Sequence, residues 1–221
     1  MDIQYVGHSC FRLRGKEGLV ITDPFASSVG FSCPKLSADV ITVSHDHQDH
    51  NQIQLIRATS NRNRPFVVRQ PGEYEIQNIS VYGYPSYHDD QQGKIRGKNV
   101  MFSIFLDGVH VLHLGDLGHI LDQKTVEDIP DIDVLLIPVG GVYTIDPQQA
   151  LELISLLEPS YVVPMHFRTN KHSSEFAELA TVDDFIKKSG KQPRITDKLT
   201  LSGPKTSDDA ETQIVVLEAR E

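Results

Sequence analysis

The chain is poor in cysteine, in basic charge and in long apolar runs, and each shortage removes a class of protein. Its two cysteines, Cys10 and Cys33, form neither a C-x-x-C pair nor a disulfide framework. They are expected as small buried residues in a reducing compartment. Lys and Arg number 21 against 30 Asp and Glu, giving a formal net charge of −9. A nonspecific grip on nucleic-acid backbones needs a basic surface, so this balance argues against DNA or RNA as a partner. It does not exclude metal-dependent phosphodiester chemistry, because cations can themselves bind phosphate. No apolar run approaches the ~20 residues that span a bilayer. Residues 1–6 lack the basic and apolar regions of a signal peptide. The expectation is a cytoplasmic protein without a membrane partner. No repeat, low-complexity tract or linker is evident, so residues 1–221 read as one domain.

What is present is a succession of short β-type runs followed by an alternation of strands and helices. Runs at 3–6, 10–13, 19–22, 66–68 and 79–82 read as strands. Asp107-Gly108 between 100–106 and 109–114 is a two-residue hairpin signal. Residues 121–129 read as a helix, 134–137 as a buried strand and 161–163 as another. Pro147–Leu157 reads as a helix with Asp146 as its cap and Pro147 at its first position. Residues 174–189 read as a helix with a restart at 181–184, and 213–217 as a last edge strand. Residues 205–211 are polar and read as a mobile loop. Such interleaving suggests an α/β protein with sheets covered by helices.

The densest chemical signal is Ser44-His45-Asp46-His47-Gln48-Asp49-His50, directly after the apolar run 39–43. Imidazole and carboxylate are the donors that zinc-like cations take. In an extended segment residues two apart point the same way, so His45 and His47 can reach one cation together. Asp49 and His50 follow as the chain turns, and residues 51–58 read as a helix with Ile53 and Ile56 on one face. Further donors stand just past predicted strands: His88 after 81–87, Asp116 after His113-Leu114-Gly115, and His166 after Val163-Pro164-Met165. Each alone is an ordinary loop residue. Together, downstream of the H-x-H-x-D-H string, they suffice for two cations, with a carboxylate able to bridge.

The order of these motifs resembles that of the metallo-β-lactamase superfamily. The matching residues are Asp23 in Thr22-Asp23-Pro24, the string His45 to His50, His88, Asp116 in Leu114-Gly115-Asp116, and His166. Gly7-His8-Ser9, Pro138-Val139-Gly140-Gly141 and Pro164-Met165-His166-Phe167 are similar to the stand-alone metal-dependent hydrolases that include ascorbate-6-phosphate lactonase-like proteins. The resemblance implies a four-layer αβ/βα sandwich with its metals at one edge. It implies that His45, His47 and His88 hold one divalent cation and Asp49, His50 and His166 a second. Asp116 would bridge them, and Asp23 would orient a ligand imidazole. Zinc is expected, with manganese or iron(II) as alternatives. One departure stands out: His88 is followed by Asp89-Asp90, where small residues are usual, and either carboxylate could compete for metal or repel an anionic substrate.

A cation pair lowers the pKa of water and polarises carbonyl or phosphoryl oxygens, so no protein nucleophile is needed. No Ser-His-Asp or Cys-His set stands out. Asp49 is the candidate for orienting the water. His8 and His119 are candidates for substrate contact or general acid, while His110 and His113 read as packed or surface imidazoles. Arg168, Tyr143 and Thr144 could meet substrate. The implied activity is hydrolysis of a small ester, lactone or phosphodiester, by a chain that could self-associate as a homo-oligomer. The alternatives are a nuclease acting on RNA or DNA, a redox di-iron protein, and a non-catalytic metal-binding module. Closed structural sites usually employ thiolates, which argues against the last.

Overall fold

A computed structural model describes residues 1–32, 34–59, 63–203 and 211–219. Cys33 and most of the polar segment read as a mobile loop lie outside the described residues; Cys10 is a buried free thiol.

In chain order the strands are β1 (Asp2–Gly7), β2 (Cys10–Arg14), β3 (Leu19–Thr22), β4 (Leu36–Ala38), β5 (Val40–Thr42), β6 (Ile56–Ala58), β7 (Phe66–Val68) and β8 (Gly72–Ile76). They continue with β9 (Ile79–Tyr87), β10 (Lys98–Leu106), β11 (Val109–His113), β12 (Val134–Pro138), β13 (Tyr161–Met165), β14 (Arg194–Thr196), β15 (Leu199–Thr200) and β16 (Gln213–Leu217). The helices are α1 (Gln123–Asp128), α2 (Pro147–Leu157) and α3 (Val182–Ser189). One sheet runs β15-β1-β2-β3-β5-β7, a second runs β14-β16-β13-β12-β11-β10-β9-β8, and β4 pairs with β6.

Strand periodicity builds two cores from the first sheet. Val20 and Val40 join the large cluster shared with Val81, Ile104, Leu112 and Leu135 of the second sheet. Their neighbours Ile21 and Ile41 point the other way, into a smaller cluster with Phe25, Phe31, Leu36 and Ile56. The two sheets therefore sandwich one core. Ala150 and Leu153 of α2 and Phe185 of α3 extend it beyond the second sheet. Helices are required there because β11, β12, β13 and β16 are mutually parallel, and parallel strands need crossover connections. Asp146 caps α2 by accepting from the amides of Gln148 and Gln149, with Pro147 at its start, as its sequence suggests. Over the outer face of the first sheet, among the described residues, the cover is 3₁₀ turns and the β4–β6 pair.

Strand direction sets where function can gather. β1, β3 and β5 run the same way within their sheet, and so do β9, β11 and β13 in theirs. The residues just past their C-terminal ends are His8, Asp23, the Ser44–His50 string, His88, Asp116 and His166. The sheets are joined at this edge by backbone bonds from Val100 N–H to the Ser44 carbonyl (2.9 Å) and from His166 N–H to the His8 carbonyl (2.9 Å).

Three expected elements differ. Residues 51–58 form a 3₁₀ turn at Ile53–Leu55 and then strand β6, not a helix. β4 supplies a parallel partner, and burial of Ile56 in the smaller core overrides the local helical pattern. The segment 174–189 is a 3₁₀ turn, Ser174–Phe176, separated from α3. The chain is held extended there by bonds from Ala180 N–H to the Gly140 carbonyl and from Arg168 N–H to the Ala180 carbonyl, so the helix begins only at the restart. β16 is not an edge strand: β13 and β14 flank it, which accounts for Ile214 and Val215 both being buried.

Candidate metal centre

The loop after β5 bends at Ser44–Asp46 rather than continuing extended, so the bend, not the pleat, brings His45 and His47 together. Donor atoms of His45, His47 and His88 lie within 4.8 Å of one another, and so do those of His8, Asp49, His50 and His166. A third such group, His45, His50 and Asp116, links the two. Asp116 is the hub. Its Oδ2 lies 3.2 Å from His166 Nε2, 3.3 Å from His50 Nε2 and His88 Nε2, and 3.9 Å from His45 Nε2. Most of these side chains are buried, whereas His47 is exposed and Asp49 half-exposed. The access side is a cavity of about 350 Å³ whose lining includes His47, Asp49, His88, Asp116, Tyr143 and His166.

This donor set fits divalent cations. His45 Nε2, His50 Nε2 and Asp116 Oδ1 are buried yet have no hydrogen-bond partner. An unsatisfied buried polar atom costs ~1–3 kcal/mol, so three at one point are a large liability without a ligand. A cation accepts their lone pairs together. The local field favours positive charge as well. Burial alone would push the His50 pKa down, but Asp116, Asp49 and Asp23 hold it well above the ordinary imidazole value. Desolvation, aided by His50 and only partly offset by Asp116, takes His45 down to about 3, so it is a neutral donor. Burial opposes ionisation of Asp116 and Asp49, yet the surrounding imidazoles hold both far below the usual carboxylate range.

The model of the β-lactamase superfamily domain matches residues 2–166. The chain belongs to the β-lactamase superfamily. It is 31% identical over 191 residues to a metal-dependent hydrolase of Methanoculleus marisnigri, covering 76% of this chain and 82% of the relative. A metal-dependent hydrolase of Thermococcus onnurineus is 28% identical over 192 residues, covering 76% and 85%. The crystal structure of a protein assigned as a Zn-dependent hydrolase of the metallo-β-lactamase superfamily from Thermotoga maritima superposes with a TM-score of 0.78 at 35% identity. That match covers 98% of this chain and 97% of the other. The metallo-β-lactamase α/β sandwich and assignment to the superfamily's metal-dependent hydrolases follow. Among the described residues no helix is long and apolar enough to cross a membrane.

Around this superfamily centre the supporting residues are specific. Asp23 is fully buried and accepts from Ser44 N–H (2.8 Å), Ser44 Oγ–H (2.6 Å) and His50 Nδ1–H (2.9 Å), which turns His50 Nε2 toward Asp116. Ser44 Oγ also lies 2.9 Å from His45 Nδ1. Sequence reading gave Asp23 its place but missed Asn99, a buried amide with no motif around it. Asn99 Oδ1 accepts from Asp116 N–H, and its Nδ2 donates to Ser86 Oγ and the Leu114 carbonyl. His113 is a packed imidazole that shapes the same turn: Nδ1 accepts from Gly115 N–H and Nε2–H donates to the Ser9 carbonyl. Gly115 has φ +57, and a Cβ there would lie 2.4 Å from Asn99 Oδ1 and 2.5 Å from Ser44 Cβ, so only glycine fits.

The remaining expected residues divide. Asp89 does not face the centre: its carboxylate accepts four backbone N–H bonds, from Gln91, Gly93, Ile95 and Arg96, and organises the loop after His88. Asp90 is exposed. His8 is fully buried and joins the Asp49 side of the cluster rather than the cavity lining. His119 stands apart, accepting from Tyr87 N–H and donating to the Ile120 carbonyl beside a separate surface hollow, so it is not brought to the cavity. Arg168 Nη1–H donates to the Ala177 carbonyl, and Thr144 Oγ1–H to the Ile145 carbonyl. Tyr143 does line the cavity. His110 is held by Ser103 and the Asp131 carbonyl, away from the centre.

Proposed function

We propose that the chain hydrolyses a small-molecule ester, lactone or phosphodiester at a pair of divalent cations, zinc being the first choice. His45, His47 and His88 would hold one cation, and Asp49, His50 and His166 the other, with Asp116 shared. The carrying observation is the convergence of four imidazole Nε2 atoms within 3.2–3.9 Å of Asp116 Oδ2. Such a pair, when bound, supplies hydroxide near neutral pH and stabilises charge developing on a carbonyl or phosphoryl oxygen. The protein's own part is positional. Asp23 fixes the His50 tautomer, with the proton on Nδ1 and the lone pair of Nε2 directed inward. Asp49, on the solvent side, can orient water by accepting a hydrogen bond from it. Tyr143 and Phe176 line the cavity, whose size suits a small substrate better than a folded polymer.

The test combines metal analysis with a panel of lactones, thioesters, bis-p-nitrophenyl phosphate and short RNA, run with zinc, manganese and iron(II). Two metal equivalents per chain are expected, with turnover of a small substrate that His47→Ala and Asp116→Ala abolish. Turnover confined to RNA would favour the nuclease reading. A single enclosed metal, or an Asp116→Ala variant with unchanged metal content and rate, would overturn the proposal.

A further inference from the structure

Beside the proposed centre runs a chain of hydrogen bonds whose direction the geometry fixes. It begins in the turn after β13. Thr169 N–H donates to His172 Nδ1 at 3.1 Å, and Thr169 Oγ1 lies 3.0 Å from the same nitrogen. Oγ1 itself accepts from Lys171 N–H, which leaves its hydroxyl proton for His172. Nδ1 of His172 is therefore an acceptor, and its single proton sits on Nε2. That Nε2 lies 3.2 Å from His8 Nδ1. The reverse polarity would leave His172 with no ring proton, an imidazolate without a metal, so His172 donates and His8 Nδ1 accepts. The proton of His8 then sits on Nε2, 3.2 Å from Asp49 Oδ2.

We infer that His8 and His172 form a tautomer-setting relay that orients the Asp49 carboxylate, making His8 a positioning residue rather than a metal ligand. The distinction matters because His8 is within reach of the cluster: its donor atom lies within 4.8 Å of those of Asp49, His50 and His166. A nitrogen that carries a proton has no lone pair to give, so the hydrogen bond and ligation exclude each other. Aromatic rings flank the two imidazoles, of which His8 is fully buried and His172 half-buried. Phe31 packs edge-on to His172 with centroids 4.7 Å apart, and Phe176 packs on both His172 (5.3 Å) and His8 (4.9 Å). The turn carrying His172 is pinned by the bond from Ser173 N–H to the Val29 carbonyl. It also packs on Gly30, where an added Cβ would come within 2.1 Å of the Lys171 carbonyl oxygen. The closing carboxylate is the one that the proposed function assigns to the second cation and to water, so this inference rests on that assignment.

Two measurements separate the relay from that assignment. Long-range ¹H–¹⁵N correlation spectra of the metal-free and zinc-loaded protein should show both His8 and His172 with the proton on Nε2. A proton on Nδ1 of either ring, or loss of the His8 Nε2 proton on adding zinc, would overturn the relay whatever Asp49 does. Zinc titration then reads the consequence. His8→Ala should weaken the second equivalent by roughly 10–100-fold, the range for outer partners of metal ligands. His8→Gln, whose amide can still donate to Asp49, should recover most of that loss, and His172→Phe should reproduce part of it. Should His8→Ala not fold, the Gln and Phe variants carry the test. An unchanged second equivalent in the foldable variants would overturn the positioning role. Asp49→Ala tests the underlying assignment alone: if it keeps both equivalents, that assignment fails while the tautomer result stands.

Discussion

Asp23 shows how one side chain can matter without touching a substrate. It is fully buried, has φ +36, and its three hydrogen bonds fix both Ser44 and His50. Asp23→Asn is nearly isosteric but cannot accept at every lone pair, and its amide would place N–H groups against the Ser44 or His50 donors. We expect zinc affinity to fall by roughly 10–100-fold, read by competition with a chromophoric chelator, while far-UV circular dichroism stays unchanged. Affinity equal to wild type would mean that His50 is oriented by something else. At this scale, legibility follows distance along the chain. The His45–His50 string is visible because its donors are consecutive. The roles of Asn99 and Ser44 are invisible, since amides and hydroxyls are common and their partners Asp116 and Asp23 lie 17 and 21 residues away. The role of His172 is hidden in the same way, because its partner His8 is 164 residues distant.

Among elements, those with strong local signals form where the sequence puts them, and those decided by a distant partner do not. The β10–β11 hairpin turns at Asp107-Gly108 with φ +54 and +72, the left-handed pair that a tight hairpin requires. Ile53 and Ile56 carried a helical spacing, yet β4 captured the second of them as a strand. Asp107 does more than turn the chain. Its carboxylate accepts from Lys16 N–H at 2.9 Å and Glu17 N–H at 3.3 Å, and lies 3.6 Å from the Met1 amino group, tying the two sheets at the end opposite the proposed centre. Partial burial raises its pKa, but these bonds and the amino group outweigh that and hold it below the ordinary value. A carboxylate with a lowered folded pKa adds stability above its unfolded value, ~4, and loses it as pH falls through the folded one. Asp107→Asn keeps the turn geometry and removes the charge. It should cost about 1–2 kcal/mol near pH 7 and progressively less below pH ~4. Melting curves across pH 3–7 would show the gap closing; a gap independent of pH would assign the effect to packing.

For the whole molecule, the order of motifs along the chain was the legible part, because each stands at the end of a strand and the parallel directions collect those ends at one edge. Which strands lie next to which was not legible: β16 reads as an edge yet fills an interior position, since nothing local marks Arg194–Thr196 as a further strand outside it. That edge is also where the fold concentrates its liability. Asp23, Asp49 and Asp116 crowd among His8, His45, His50, His88 and His166, mostly out of water and with several atoms unpartnered. Elsewhere the sandwich has a continuous apolar core, so the metal-free chain should remain folded but weakened. A ligand that binds only the folded state stabilises it by RT ln(1 + [L]/Kd), ~2.7 kcal/mol at a hundredfold excess over Kd. For a chain of this size that is a rise in Tm of roughly 5–10 °C. Zinc added to chelator-stripped protein should therefore raise the midpoint, more at each tenfold increase in free metal, and the Asp116→Ala variant should lose most of the rise. Coincident melting curves with and without metal would show that the cluster holds no cation with useful affinity, and the chemistry proposed for it would have to be given up.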